Sequence, residues 1–158
     1  YVKFVARSSE MNTTIFRYGN VFGPRQDPNG EAGVIAIFAG NLLTDKPCII
    51  DGNGEQVKDY IYVSDIADIN TLVLEEANTK TNETFNIGTG IGISVNTIYR
   101  TLREQIGSSI VPSYGPPRIG DVRKIILDCG FVERQLGWQV KKTFSEGIES
   151  TIAALKNP

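Results

Sequence analysis

The 158-residue chain contains no histidine. That absence excludes Ser-His-Asp hydrolysis, Cys-His proteolysis and most zinc chemistry, which all need an imidazole. Cysteine is almost as scarce. Only Cys48 and Cys129 occur, far apart and without metal-ligand spacing. Two such thiols make no disulfide scaffold and fit a reducing, cytoplasmic compartment. Long apolar runs are missing too: Val34 to Ala39 is broken by Gly40 and Asn41, far short of a bilayer span. Nor does charge of one sign dominate. With 16 basic and 18 acidic side chains the net charge is -2, which gives no reason to expect nucleic acid or an anionic membrane as partner.

What is present is the balance of a soluble globular domain large enough to bury a real core. Val2, Val5 and Ala6 have helical spacing with no N-cap before Tyr1, so the first eleven residues read as the tail of a helix begun upstream. Thr13 to Tyr18 is β-branched and aromatic, a strand; Gly19 to Gly33 is a long Gly/Pro/Asn/Asp loop. Val34 to Leu43 predicts a buried helix, Pro47 to Ile50 a short strand, 51–54 a turn, and Lys58 to Val63 another strand. Ser64 is expected to cap the next helix, with Asp65 and Asp68 in its first turns and Ile66, Ile69, Leu72 and Val73 on one face.

Thr84 to Ile87 predicts a strand ending in Gly88-Thr-Gly90. Ser94 then caps a helix striped by Val95, Ile98, Leu102 and Ile106 and closed by Gly107. A strand near Ile110 to Tyr114, a short helix through Asp128 to Leu136, and a last helix with the capping box Thr143-Phe-Ser-Glu146 complete the chain. Strands and helices alternate, so the class is α/β.

Three segments carry polar groups suited to a ligand. Arg17-Tyr-Gly-Asn-Val-Phe-Gly-Pro-Arg25 places Asn20 at a strand's carboxyl end, where open α/β sheets bind ligands; a turn in which Asn20 bonds its own backbone is the competing reading. Lys58 opens a strand of aromatic and aliphatic neighbours, where a cation can neutralise a phosphate or simply pair with Asp59 or another acid. In Pro116-Pro-Arg-Ile-Gly-Asp-Val-Arg123, Arg118 can grip an anion while Asp121 accepts from a hydroxyl, or the two can pair within the loop.

In order and spacing these segments resemble the second half of the extended short-chain dehydrogenase/reductase family, in the branch typified by UDP-glucose 4-epimerase. The resemblance rests on Arg17 to Arg25, Gly52 to Ala67, Phe85 to Gly90 with Ser94-Val95, Arg118 to Asp121, and Leu136-Gly-Trp138. It covers essentially the whole chain. It implies the last strands and helices of a Rossmann-like parallel sheet together with the small substrate-binding domain. On this resemblance residues 1–158 are a carboxy-terminal portion, and the amino-terminal NAD-binding half lies outside them. The activity implied is NAD-dependent oxidation and re-reduction at C4 of a nucleotide-sugar, catalysed by a Tyr-x-x-x-Lys pair upstream of Tyr1. The chain alone is expected to be inactive, and the intact enzyme a homodimer.

Residue by residue, the resemblance puts Tyr18 and Gly19 beside the nicotinamide end of NAD. Asn20 falls on the diphosphate or sugar of the nucleotide-diphosphate sugar, and Val34 and Ile35 near the base. Lys58 and Arg118 fall on the two phosphates, Asp121 on the ribose. Two positions depart from the family pattern: Lys58 where Arg is usual, and Asp51 where an aromatic residue usually packs on the base. The substrate is therefore expected to be a nucleotide-sugar of open base identity. A 4,6-dehydratase and a non-catalytic nucleotide-binding half-chain are the alternatives. Gly88-Thr-Gly-Ile-Gly92 is not expected to be the cofactor fingerprint, because its place in the pattern is late.

Overall fold

A computed structural model describes residues 1–9, 11–27, 33–75 and 82–157. Helix α1 (Val2–Ser8) leads to strands β1 (Ile15–Tyr18) and β2 (Asn20–Phe22), then helix α2 (Val34–Leu43). Strands β3 (Ile49–Asp51) and β4 (Val57–Tyr62) follow, and β4 runs directly into helix α3 (Val63–Glu75). After β5 (Thr84–Ile87) and β6 (Gly92–Ser94) come helix α4 (Val95–Ile106), β7 (Ser113–Gly115) and β8 (Lys124–Ile125). Helices α5 (Gly130–Leu136) and α6 (Phe144–Lys156) close the order. The architecture is α/β, with strands paired mostly in parallel.

The pairing is split into three patches. β1 pairs in parallel with β5, and β3 in parallel with β7. β4 is flanked by parallel β2 and antiparallel β6 and also pairs in parallel with β8. Its side chains alternate between two cores, as a period of two requires. Tyr60 and Tyr62 enter a core shared by α2, α4 and α6, with Phe22, Phe38, Ile98, Leu102 and Ile148. Ile61 enters a second core with Ile69, Phe85, Ile87, Val132 and Trp138. β4 is the wall between them.

Several expectations hold closely. α2 and β5 have the expected bounds, and α4 is capped by Ser94, whose side chain accepts from the Thr97 N–H, and by Gly107 at φ 76°. The α6 capping box is complete: Thr143 accepts from the Glu146 N–H while the Glu146 carboxylate accepts from the Thr143 N–H. The 51–54 turn also forms, with positive φ at Gly52 and Gly54. A Cβ on Gly54 would lie 2.1 Å from Asn96 Oδ1, so a side chain there would have to displace the Asn96 amide as well as adopt a positive φ.

Others need correction. Asn20 to Phe22 is not loop but strand, because its backbone pairs with Tyr60–Tyr62; residues 28–32 of the expected loop lie outside the described set. Ser64 is not an N-cap. With no loop between β4 and α3, the helix starts at Val63 and Ser64 is already inside it. Asp65 does lie in the first turn of α3 as expected, and it is in addition fully buried and accepts from the backbone N–H groups of Lys141 and Lys142. Asp68 pairs with Lys141 instead. β1, β3 and β7 start two, two and three residues later than their composition suggests, at Ile15, Ile49 and Ser113. β6 and β8 were not expected; they are three and two residues long, held by pairing with β4 rather than by a pattern of their own.

Candidate functional site

An open cleft of about 370 Å³ lies where β2, β3 and β4 meet α2 and the loop between β7 and β8. α2 contributes Val34, Ile37 and Phe38, one face at helical spacing, and β4 contributes Lys58 and Tyr60, one face at strand spacing. Asn20, Asp51 and Gln56 add polar groups from β2, β3 and the start of β4's approach, and Arg118 and Asp121 come from the loop. An apolar floor with a few convergent polar and charged groups is the general form of a ligand site.

The charges are paired across the cleft. Lys58 Nζ lies 2.6 Å from Asp121 Oδ1, and Arg118 Nε lies 3.7 Å from Asp51 Oδ2. The alternative pairing of Arg118 with Asp121 inside their own loop does not form between side chains; only the Asp121 N–H reaches the Arg118 carbonyl. Lys58 does not pair with Asp59 either, because adjacent strand residues face opposite ways. The Asn20 side chain sits exposed at the rim, without the self-bonded turn that composition allowed. Tyr60 forms part of the wall. Burial, and then the negative charge of Asp121, push its phenol up to about 12.

The structure thus gathers Asn20, Val34, Asp51, Lys58, Arg118 and Asp121 about one cavity. Ile35 is left out: it is 1% exposed and packs into the core behind α2, so its side chain does not face the cleft. Tyr18 and Gly19 are elsewhere as well. Tyr18 lines a separate groove with Phe16 and Asn70 and exchanges hydrogen bonds with the Asn70 amide. Gly19 donates to the Ile87 carbonyl, and a Cβ there would lie 2.9 Å from the Asp59 carbonyl oxygen. Sequence reading missed Ile37, Phe38, Gln56 and Tyr60. Each was findable, at i+3 and i+4 from Val34 or at two residues either side of Lys58.

On the other face of β4, Asp59 is 1% exposed. Its carboxylate accepts from the Thr89 N–H at 2.8 Å, the Thr89 hydroxyl at 2.7 Å, the Gly90 N–H at 3.0 Å and the Leu127 N–H at 3.3 Å. Four donors satisfy a buried charge that would otherwise be costly. They also occupy the glycine-rich turn.

The model of the NAD dependent epimerase/dehydratase family matches residues 1–88, more than half of the chain. The chain belongs to this family. Similar members include the UDP-glucose 4-epimerase of Mycolicibacterium smegmatis, 38% identical over 138 residues that make up 87% of this chain and 44% of that enzyme. The dTDP-glucose 4,6-dehydratase of Salmonella typhimurium is 30% identical over 155 residues, 92% of this chain and 41% of that enzyme. Among solved structures, the UDP-glucose 4-epimerase of Thermotoga maritima with UDP-glucose superposes with a TM-score of 0.93 at 46% identity. That match covers 99% of this chain and 50% of the other. This epimerase/dehydratase chain spans about half the length of the relatives it matches, and it shares their Rossmann-like α/β fold.

A dinucleotide is held by free backbone N–H groups of a glycine-rich turn at a helix N-terminus. In this member of the family the N–H groups of Thr89 and Gly90 are already given to Asp59, and the start of α4 is capped by Ser94. Among the described residues, the turn that most resembles a cofactor cradle is therefore an internal fastening. It does not fit NAD.

Proposed function

We propose that the protein to which this chain contributes is an NAD-dependent nucleotide-sugar 4-epimerase, an isomerase, and that the cleft beside Lys58 holds the nucleoside diphosphate of its substrate. The observation that carries this reading is the convergence of two cations, Lys58 and Arg118, 60 residues apart, on one cavity with an apolar floor. A diphosphate drawn partly out of water needs such cations. In this reading Lys58 and Arg118 meet the phosphates, the Asn20 amide bonds the diphosphate or sugar, and Asp121 accepts from the ribose. Val34 offers apolar surface to the base, and Ile35, locked in the core, fixes the direction in which Val34 points. Asp51 stands where the base approaches, so base identity is left open.

Tyr18 and Gly19, at the carboxyl end of β1, are assigned to the nicotinamide side of NAD in the intact enzyme. The NAD cradle and the acid/base pair are assigned to an amino-terminal half outside this chain. The half-length match supports this division, as does β1–β5, a parallel pair with no third strand among the described residues; parallel sheets are normally covered on both faces and larger. In the same reading the intact protein is a homodimer, and the exposed Phe4 and Val5 of α1 are assigned to contacts made outside this chain. The work left to the present residues is positioning, which by itself can lower a barrier by about 7–11 kcal/mol when the reacting groups are also present. Identity to a 4,6-dehydratase favours a second reading, a lyase with the same cleft.

The test is turnover. The intact protein supplied with NAD should interconvert UDP-glucose and UDP-galactose, or another nucleotide-sugar pair differing at C4, while residues 1–158 alone should not. Turnover by the isolated chain would overturn the division of labour; a 4-keto-6-deoxy product from the intact protein would favour the dehydratase.

A further inference from the structure

Asp65 is completely buried, and each of its carboxylate oxygens accepts a backbone N–H: Oδ1 from Lys141 at 3.2 Å and Oδ2 from Lys142 at 3.3 Å. Those N–H groups belong to residues 137–143, a segment with no helix or strand of its own. A charge is costly to bury, and this one is matched by the two donors and by the start of α3. Side chains add to the hold: Lys141 pairs with Asp68 at the surface, and Lys142 lies over the Tyr62 ring. Exposed ion pairs contribute little. The buried carboxylate is the main tether.

The tethered segment leads straight into Phe144, and Phe144 stands behind the cleft. Its ring lies 6.4 Å from that of Tyr60 and 5.7 Å from that of Phe22. Tyr60 is a wall of the cleft, and it also lines a second cavity of about 270 Å³ with Ile93, Val140, Lys142 and Phe144. It is thus a partition between two open spaces. A side chain keeps its place through the atoms packed against it, and on the side of the second cavity those atoms come from the segment that Asp65 holds.

We infer that Asp65 is a positioning residue for the cleft: by holding the backbone at Lys141 and Lys142 it keeps Phe144 against Tyr60, and so keeps Tyr60 from tipping into the second cavity and widening the cleft. Asp65 itself lines neither space. For ligand binding this rests on the reading of the cleft as a nucleoside-diphosphate site; for the placement of Tyr60 it does not. Burial is the first cause of the raised Tyr60 phenol, at about 12, so that phenol reports on the packing.

The experiment compares the intact protein with its Asp65→Ala and Asp65→Asn variants by two measurements. One is the alkaline absorbance titration of Tyr60, identified by its loss in Tyr60→Phe; the other is calorimetric titration with uridine diphosphate. In Asp65→Ala the phenol should ionise at lower pH, and affinity for uridine diphosphate should fall about three- to tenfold, within the range for coupled neighbours. Asp65→Asn keeps one acceptor and should recover part of both. If Asp65→Ala does not fold, Asp65→Asn carries the test with smaller shifts of the same sign. A folded variant that melts lower but keeps the parent's phenol titration would overturn the inference, because a purely structural tether would do only that. So would a shifted phenol with unchanged uridine diphosphate affinity, provided Lys58→Met weakens binding. Failure of the underlying reading looks different: the phenol shifts, and affinity is indifferent to Lys58→Met as well.

Discussion

Lys58 and Asp59 are consecutive on β4 and do opposite jobs on opposite faces of the sheet. Lys58 reaches into the cleft toward Asp121, while Asp59 turns inward and fastens the 88–90 turn and Leu127. The strand's two-residue period makes this division unavoidable. It also separates the consequences of mutation, since one residue should govern binding and the other stability.

Asp59→Ala should destabilise the protein by about 1–3 kcal/mol, because it removes the one carboxylate that several partly buried donors share. Urea denaturation checks this. Asp59→Asn, which keeps an acceptor but loses the charge, should cost less.

Gly88→Ala should also destabilise, since its Cβ would sit 2.6 Å from Asp59 Oδ2. The clash is with that carboxylate. Gly88→Ala should therefore cost clearly less in the Asp59→Ala background than alone, which a double-mutant cycle reads directly. Additive costs would mean that the glycine serves some other purpose.

Tyr60 gives a signature at alkaline pH. Burial and Asp121 hold its phenol at about 12, against an ordinary value of 10.0. The folded state thus keeps a proton that the unfolded chain loses first. The stability so gained is complete below pH 10 and disappears as pH rises through about 12. Melting temperature should fall over that interval, less steeply for Tyr60→Phe. Absorbance titration of Asp121→Asn should show one phenol ionising at lower pH than in the parent.

Glu146 gives the opposite signature in acid. Hydrogen bonds from the Thr143 side chain and backbone hold its carboxyl below the ordinary value of 4.5. Its contribution is complete above that value and is lost as pH falls through the lower folded one. Glu146→Gln should flatten the acid limb of the stability profile, and a limb unchanged by the substitution would remove the capping box from that role.

The sequence made the helices easy to read where local chemistry fixes their ends: Ser94 and Gly107 around α4, and the Thr143–Glu146 box before α6, act within a turn of the residues they cap. β6 and β8 were hidden for the converse reason. Glycine and lysine there have no strand preference, and only pairing with β4 extends them. In the cleft, the family resemblance pointed to Asn20, Lys58, Arg118 and Asp121, which composition alone left open. It did not identify their partners, because Lys58 and Asp121 are 63 residues apart and only the fold brings them together. Ile35 shows the limit of proximity along the chain: one step on a helix turns a side chain about 100°, and Val34 and Ile35 consequently face different environments.

The central claim is that Lys58 and Arg118 together hold a diphosphate. It is tested most directly by calorimetric titration of uridine diphosphate into the intact protein and its Lys58→Met, Arg118→Met double variant. Two charge-assisted contacts, each worth about 1.5–3 kcal/mol, predict a loss of affinity of roughly 100-fold or more. An affinity within twofold of the parent would contradict the account.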